Sequence, residues 1–505
     1  MAVQKRIRLF EATLPDEAAT IRLAQDIAAA ILPGDMIAVE GDLGAGKTAF
    51  CRALIRCIAG DDDLEVPSPT FSLLQPYDLA IPVRHFDLYR LADPEDLDEI
   101  GFFDNHEQAL TLVEWPSRAG AALPRHHMLL SMESLQDEQR TMRFSLPPEH
   151  KDRFARTIAA RQFLDASGYV KARRTHIQGD ASHRSYERIF TADKAPAVLM
   201  NAPRTPPGEV IADGKSYADL VHRAADTKPF AAIAAALLNL GFSAPAIYAA
   251  DHASGFLLLE DFGGEGIVDA GGRPVRERYM AAVDVLAALH DRAADLSQSI
   301  EGVSAPYRIP AFDRTAFLTE VALFADWFVP YQQRSLQPAD RHDFIAVWSG
   351  LYADLADAET GIILRDVHSP NLMWLQRSNP LQCVGLLDFQ DALWGPQLYD
   401  LASLVYDARI RIAPGFRQDM LARYQARRGA APARSDLDRH LAILAAQRIM
   451  KILGIFARLA VHDAKTSYLA HMPRNQDYLH ELLENPVLAA LRRWYEAKLG
   501  PVPGK

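Results

Sequence analysis

Residues 41–48 read Gly41-Asp42-Leu43-Gly44-Ala45-Gly46-Lys47-Thr48 and fit the pattern GxxxxGK[ST] with the correct four-residue gap. The apolar run Met36-Ile37-Ala38-Val39 before them predicts a buried strand, and the residues that follow, as far as Gly60, predict a helix. In this setting the glycines let backbone amides turn towards phosphate oxygens. Lys47 then reaches the outer phosphates, and the Thr48 hydroxyl can ligate magnesium. The segment therefore predicts a phosphate-binding loop in an α/β domain with a mainly parallel sheet.

The chain around this loop has 505 residues, of which 49% are hydrophobic and 24% charged, so it is long enough for two or three globular domains. Residues 1–150 carry a net charge of −12, whereas residues 151–505 carry +1. This asymmetry indicates two parts with separate surfaces, and the acidity of the first part argues against a grip on nucleic acid through phosphates. We expect a first domain at residues 1–150, a linker at 151–160 and a second domain at 161–505.

Membrane, secretory and disulfide-rich classes find no support in the sequence. The longest purely apolar stretch, residues 230–238, is too short to cross a bilayer. No apolar core follows the first charged residues, as a secretory signal would require. Three cysteines without a CxxC pair support neither a disulfide framework nor a zinc cluster. We therefore expect a cytoplasmic protein without membrane contact.

Further motifs accompany the phosphate loop in the first part, and the NKxD motif that recognises guanine is not among them. In chain order they are Ser68-Pro69-Thr70-Phe71, His85-Phe86-Asp87-Leu88-Tyr89-Arg90 and Glu114-Trp115-Pro116-Ser117-Arg118. Together with the loop, they resemble the TsaE-type ATPases that support threonylcarbamoyladenosine modification of tRNA. The resemblance covers the whole first part.

This resemblance implies that Asp87 helps to hold magnesium and that Thr70 senses the terminal phosphate of ATP. It also implies that Glu114 and Trp115 matter for hydrolysis. Position supports Asp87, which ends a predicted strand, and Glu114, which follows the apolar residues 110–113. A structural salt bridge of Glu114 and a core position for Trp115 remain open. The family further implies a protein partner, the complex that transfers threonylcarbamoyl to tRNA, with no direct sequence-specific contact to nucleic acid.

The second part begins with strands and continues mostly with helices, an order that predicts an α+β fold. Residues 175–178, 185–190 and 197–200 predict an antiparallel meander. Its first turn contains Gly179 and Ser182, which are candidate ATP contacts. A hairpin follows at residues 246–259.

A second pattern typical of phosphoryl transfer lies further along the chain. Residues 365–371 read Arg365-Asp366-Val367-His368-Ser369-Pro370-Asn371, and an apolar strand and Asp388-Phe389 come later. In phosphoryl transfer to an alcohol, one carboxylate accepts the hydroxyl proton, while an Asn and a second carboxylate hold magnesium ions. Asp366 is therefore the candidate base, and Asn371 and Asp388 are the candidate magnesium ligands.

These residues resemble the aminoglycoside phosphotransferase and choline kinase fold, a bilobal fold like that of protein kinases, over roughly residues 160–490. Glu260 and Phe262 fall in a possible adenine hinge. Within that group, residues 179–188, Pro229-Phe230 and residues 364–375 are most similar to the AmgK-like amino sugar kinases. The resemblance implies ATP-dependent phosphorylation of the anomeric hydroxyl of N-acetylmuramate or N-acetylglucosamine.

One departure from the wider kinase pattern leaves an alternative open. The third strand contains Val198-Leu199-Met200-Asn201 where kinases offer a lysine to the phosphates, and the helix at residues 229–240 has no glutamate to pair with one. Arg184 or Arg188 is a candidate substitute, since a guanidinium can grip phosphate through two N–H groups. The chain is then either a bifunctional ATPase and sugar kinase, or a single tRNA-modification assembly factor whose degenerate kinase-like half only binds a ligand or partner.

Overall fold

The chain divides into two compact units, Met1–Asn201 and Ala202–Lys505. A computed structural model describes residues 6–104, 106–135, 139–177, 184–206, 208–292, 297–430 and 432–502. Gly179 and Ser182, the two candidate ATP contacts in the first turn of the meander, lie outside these described residues.

The first unit contains a mixed seven-stranded sheet followed by a helix and a meander. Its elements are β1 (Ile7–Leu14), α1 (Glu17–Ala28), β2 (Met36–Gly41), α2 (Lys47–Ala59), β3 (Leu74–Tyr77), β4 (Val83–Asp87), β5 (Leu110–Glu114), β6 (Met128–Ser134), β7 (Arg140–Leu146), α3 (Lys151–Ala166), β8 (Arg173–Ile177), β9 (Ser185–Phe190) and β10 (Ala197–Asn201). The strand order of the sheet is β1-β7-β6-β2-β5-β4-β3.

Parallel strands form the centre of this sheet and explain the apolar runs in the sequence. Strands β6, β2, β5 and β4 run parallel, whereas β1, β7 and β3 pair antiparallel at the two sides. All five residues of β5 are buried, as expected of a strand covered on both faces. Ile27 of α1 and Leu54 of α2 belong to the same apolar core as Ile37 of β2. The predicted α/β fold of the first part is confirmed.

Helix α3 occupies the segment predicted as a linker, and ion pairs hold it to helix α1 and to the turn before β2. Arg153 forms two hydrogen bonds with Asp35, at 2.6 and 2.8 Å. Arg161 donates to Asp26 of α1 over 2.9 to 3.1 Å. The proposed domain boundary at residues 151–160 stays a prediction, but this segment is a helix with buried partners.

The meander of β8, β9 and β10 is antiparallel, as predicted. Arg174 on β8 is buried and contacts two carboxylates, Glu187 on β9 and Asp26 on α1, with shortest distances of 2.5 and 2.8 Å. Asp26 therefore accepts hydrogen bonds from two guanidinium groups that come from different elements.

The second unit has short antiparallel strand pairs followed by long helices. Its strands are β11 (Val210–Ala212), β12 (Lys215–Ser216), β13 (Ile247–Asp251), β14 (Phe256–Glu260), β15 (Ser299–Ile300), β16 (Tyr307–Arg308), β17 (Thr360–Ile363), β18 (Leu372–Trp374), β19 (Val384–Leu386) and β20 (Leu393–Pro396). Its helices are α4 (Tyr217–Leu220), α5 (Lys228–Asn239), α6 (Arg276–Arg292), α7 (Arg314–Leu323), α8 (Val329–Tyr331), α9 (Pro338–Ala353), α10 (Leu398–Val405), α11 (Pro414–Arg427), α12 (Arg434–Val461), α13 (Met472–Leu482) and α14 (Ala489–Leu499).

Helix α12 is the central helix of this unit. Within the described segments it is the one helix long and apolar enough to cross a bilayer, and 94% of its most apolar window is buried inside the protein. That degree of burial is typical of a core helix. Arg448 and Lys451 lie on α12 and are buried with it.

Candidate active sites

The phosphate loop joins β2 to α2, and its glycines occupy positions that other residues fill poorly. Gly44 and Gly46 have φ angles of 82° and 96°, in the region that favours glycine. A Cβ at Gly41 would lie 2.4 Å from the carbonyl oxygen of Met132. Between the glycines, the Leu43 side chain is exposed and Ala45 is buried.

Lys47 is buried at the start of α2, and its ammonium group is surrounded by loop carbonyls and an aromatic ring. Nζ donates to the carbonyl oxygens of Gly41 and Asp42, both at 2.8 Å, and lies 3.7 Å from the centre of the Trp115 ring. Burial lowers the pKa of Lys47, and the nearby carboxylate of Glu114 opposes the shift. Trp115 therefore packs against the loop lysine, and its ring also contacts Tyr89 at a centroid distance of 5.0 Å.

Glu114 connects the loop to the end of β5. Its Oε2 accepts a hydrogen bond of 2.9 Å from Thr48 Oγ1, and its Oε1 lies 2.9 Å from His85 Nε2. His85 and Glu114 are both buried. The carboxylate thus lies between the hydroxyl that follows the loop lysine and a buried imidazole.

Asp87 lies beside Glu114 because their strands pair in parallel with these two residues in register. Thr70 Oγ1 donates to Asp87 Oδ2 at 2.6 Å, and the Tyr89 amide donates to Oδ1 at 3.0 Å. The Thr48 hydroxyl and the Asp87 carboxylate are hard oxygen donors, so the donor chemistry fits Mg²⁺. The structure therefore brings Thr48, Thr70 and the two carboxylates together around the loop.

In the second unit, the predicted base and metal ligands lie on adjacent pieces of backbone. Asn371 Nδ2 donates to the carbonyl oxygen of Asp366 at 2.9 Å. The amide of Leu387 donates to the carbonyl oxygen of Asn371 at 3.0 Å, which places Asp388 one residue further along the neighbouring strand end. Asp388 has a φ of 57° and accepts from Gln390 Nε2 at 2.7 Å. Carboxamide and carboxylate oxygens are again ligands suited to Mg²⁺.

Asp366 lies among buried cations. Burial opposes its ionisation, but Lys451 and Arg448 outweigh this effect and lower the pKa of Asp366 to about 2. Its side chain remains 33% exposed, so a molecule can reach the carboxylate. The preceding residue, Arg365, has a φ of 76°, and its amide donates to Asp400 at 2.9 Å. Asp400 therefore braces the backbone that presents Asp366, the predicted base.

The predicted hinge uses its side chains for contacts within the fold. The Glu260 carboxylate accepts from Arg377 at 2.7 Å and its amide donates to Ala246. The Phe262 ring packs against Gly385, where a Cβ would lie 2.6 Å from the ring. Any contact from Glu260 or Phe262 to a base would therefore come through the backbone.

Three residues of these sites were not predicted from the sequence, namely His85, Arg448 and Lys451. His85 begins the motif at residues 85–90, but nothing in its spacing indicates a contact with Glu114. Arg448 and Lys451 carried a usable signal, because two cations three residues apart lie in the predominantly apolar stretch at residues 441–457. At the third-strand position, Asn201 accepts a hydrogen bond of 2.8 Å from Arg156. A role for Arg184 or Arg188 towards phosphates stays a prediction.

Comparison with known proteins agrees with this geometry. A family model described as the phosphotransferase enzyme family matches residues 173–437. A second, described as threonylcarbamoyl adenosine biosynthesis protein TsaE, matches residues 14–142. The chain belongs to the phosphotransferase enzyme family and, through its N-terminal part, to the TsaE family. The predicted fold of each part and its enzymatic class, an ATPase and a phosphotransferase, are confirmed.

Relatives of each part are known separately. The N-acetylmuramate/N-acetylglucosamine kinase of Caulobacter vibrioides is 34% identical over 359 residues, which are 68% of this chain and 96% of that protein. The TsaE protein of Rickettsia conorii is 37% identical over 141 residues, which are 28% of this chain and 79% of that protein. The crystal structure of a choline/ethanolamine kinase family protein from Mesorhizobium loti is 17% identical with a TM-score of 0.41, and the match covers 67% of this chain and 99% of that chain.

Proposed function

We propose that this phosphotransferase and TsaE family member is bifunctional. Its N-terminal ATPase supports threonylcarbamoyladenosine modification of tRNA through a protein complex. Its C-terminal half transfers phosphate from ATP to the anomeric hydroxyl of N-acetylmuramate or N-acetylglucosamine. The observation that carries the kinase proposal is the placement of Asp366, Asn371 and Asp388 on hydrogen-bonded neighbouring segments. Both activities use substrates of the cytoplasm, and we therefore place the protein in the cytoplasm.

Asp366 is the base of the proposed kinase reaction and accepts the proton of the sugar hydroxyl. Asp366 is ionised at neutral pH and can accept this proton, because Lys451 and Arg448 lower its pKa to about 2. An anomeric hydroxyl is more acidic than an ordinary alcohol because the ring oxygen stabilises its anion. Asn371 and Asp388 would hold Mg²⁺, which neutralises phosphate charge when bound.

In the N-terminal site, Glu114 orients and polarises the water that attacks the terminal phosphate, while His85 fixes the carboxylate. Thr48 and Asp87 would hold Mg²⁺ there. Lys47 contributes positive charge next to the phosphates. Regulation by the partner complex is part of this proposal, since the family acts in tRNA modification.

The test uses the full chain with ATP, magnesium and a panel of sugars. We expect N-acetylmuramate or N-acetylglucosamine to be phosphorylated, and Asp366→Asn to reduce this by about a thousandfold or more. Lys47→Ala is the matched control, because it should remove ATPase activity and leave sugar phosphorylation intact. If no sugar, aminoglycoside or choline-like alcohol accepts phosphate, the kinase half is a binding platform instead.

The N-terminal role has its own test in cells. With Lys47→Ala as the sole copy, we expect threonylcarbamoyladenosine in tRNA to fall sharply, whereas Asp366→Asn should leave it unchanged. Unchanged modification with Lys47→Ala would contradict the proposed role.

A further inference from the structure

Arg448 lies next to the proposed base with unused hydrogen-bond donors. Its Nη2 is 3.4 Å from Asp366 Oδ1, at the long end of the hydrogen-bond range. The Arg448 side chain is only 3% exposed, and Nε and Nη1 have no hydrogen-bond partner among the residues that the structure describes. Buried guanidinium donors without acceptors are costly, so this position is unfavourable unless another molecule supplies an acceptor.

The neighbouring carboxylates do not provide that acceptor. Glu320 is fully buried and bonded to Arg365 and, at 2.9 Å, to Lys451. Asp400 accepts the backbone amides of Leu364 and Arg365, and burial raises its pKa to about 7, so a large part of it is uncharged at neutral pH. Neither Glu320 nor Asp400 is therefore bonded to Arg448.

We propose that Arg448 binds a carboxylate carried by the acceptor sugar, so that the kinase half prefers an acidic amino sugar to a neutral one. A sugar whose hydroxyl contacts Asp366 lies beside Arg448, because the two side chains touch. A guanidinium offers paired N–H groups that match a carboxylate, and this pairing is strong where water is excluded. N-acetylmuramate carries such a carboxylate on its lactyl ether, and N-acetylglucosamine does not. The inference rests on the proposed kinase function and specifies its substrate.

The first experiment uses the unaltered full-length protein. It compares kcat/KM for N-acetylmuramate, for its methyl ester and for N-acetylglucosamine at fixed ATP and magnesium. The ester has nearly the same bulk and no charge, so the comparison isolates the carboxylate. We expect kcat/KM for the acid to exceed that for the ester by about tenfold or more.

The second experiment repeats these assays with Arg448→Gln and Arg448→Lys. Arg448→Gln should abolish the preference for the acid over the ester, whereas Arg448→Lys, which keeps a positive charge, should retain part of it. Loss of support for Asp366 would lower turnover of acid and ester equally, so the acid-to-ester ratio separates carboxylate binding from that structural effect. If Arg448→Gln does not fold, the ester comparison and Arg448→Lys still test whether Arg448 binds the carboxylate of the sugar.

Equal kcat/KM for acid and ester in the unaltered protein would overturn the inference and leave the proposed kinase intact. So would an acid preference that survives Arg448→Gln unchanged. Failure to phosphorylate any amino sugar would instead overturn the proposed kinase function itself.

Discussion

The hydroxyl of Thr48 donates a hydrogen bond of 2.9 Å to the carboxylate of Glu114. This contact links the residue after the loop lysine to the end of β5, where the neighbouring strand presents Asp87. One carboxylate is thereby tied to the loop, and the other lies beside it. The N-terminal site thus consists of two parallel strand ends facing one phosphate loop.

Replacing Glu114 tests which part of the ATPase reaction this carboxylate serves. In Glu114→Gln we expect ATP hydrolysis to fall by about a hundredfold or more, because the amide cannot polarise water. Nucleotide affinity, measured with a fluorescent ATP analogue, should change little. Glu107→Gln, an exposed residue of the same unit, is the control and should hydrolyse ATP normally. Parallel loss of hydrolysis and binding would mean that Glu114 only shapes the loop.

His85 is expected to position Glu114. Its Nε2 lies 2.9 Å from Glu114 Oε1, and both residues are buried. We expect His85→Leu to lower kcat for ATP hydrolysis by about tenfold with little effect on KM, because the carboxylate loses one restraint. His85→Gln keeps an N–H donor and should recover part of the rate. A failure of glutamine to do better than leucine would argue against positioning through this hydrogen bond.

Glu320 makes the stability of the second unit sensitive to acid. Burial opposes ionisation, but Lys451 and Arg365 lower the pKa of Glu320 from 4.5 to about 2. As the pH falls, Glu320 is therefore protonated at a higher pH in the unfolded chain than in the folded protein. The stabilisation is complete above about pH 4.5 and is lost as the pH falls towards 2, with a magnitude of about 3 kcal/mol.

Urea unfolding followed by tryptophan fluorescence at pH 7, 5, 4 and 3 measures this effect, because five of the six tryptophans lie in the second unit. Glu320→Gln should be less stable at pH 7 and lose less stability on acidification than the unaltered protein. Glu484→Gln, on the surface, should behave like the unaltered protein. Identical pH dependence in Glu320→Gln would exclude Glu320 as a source of the acid sensitivity.

Asp26 is expected to stabilise the first unit through Arg161 and Arg174. Asp26→Asn removes the carboxylate partner of Arg161 and leaves Arg174 with Glu187 alone, so we expect a loss of about 3 kcal/mol in the free energy of unfolding. Asp62→Asn removes an exposed ion pair with Arg173 and should cost less than about 1 kcal/mol. Resistance to limited proteolysis at residues 151–201 reports the same difference. Equal stability of the two variants would contradict a structural role for Asp26.

The sequence was most informative where chemistry requires a short fixed spacing. The phosphate loop, the strand that ends at Asp87 and the group of Asp366 and Asn371 all depend on local patterns, and the structure places each where the pattern indicates. Whether each residue plays its assigned role stays a prediction. Local spacing succeeds here because glycine conformations and strand ends are set by neighbouring residues.

Contacts between distant segments leave no short pattern in the sequence. Nothing near His85 indicates that it meets Glu114, since the parallel pairing of β4 and β5 brings them together. The approach of Arg448 to Asp366 likewise depends on how α12 packs in the second unit. Helix α3 is a third example, because its Arg153 and Arg161 pair with Asp35 and Asp26, which lie 118 and 135 residues earlier in the chain.

Trp115 is the sole tryptophan of the first unit and stands 3.7 Å from the ammonium group of Lys47. An indole emits differently when a nearby cation moves, so this ring is a built-in optical reporter of events at the loop. In a chain whose other five tryptophans are replaced by phenylalanine, nucleotide titration followed by emission would read out occupancy of the N-terminal site alone. The same protein can then be assayed with a sugar present. This measurement reveals whether turnover at the kinase site changes nucleotide occupancy at the N-terminal site.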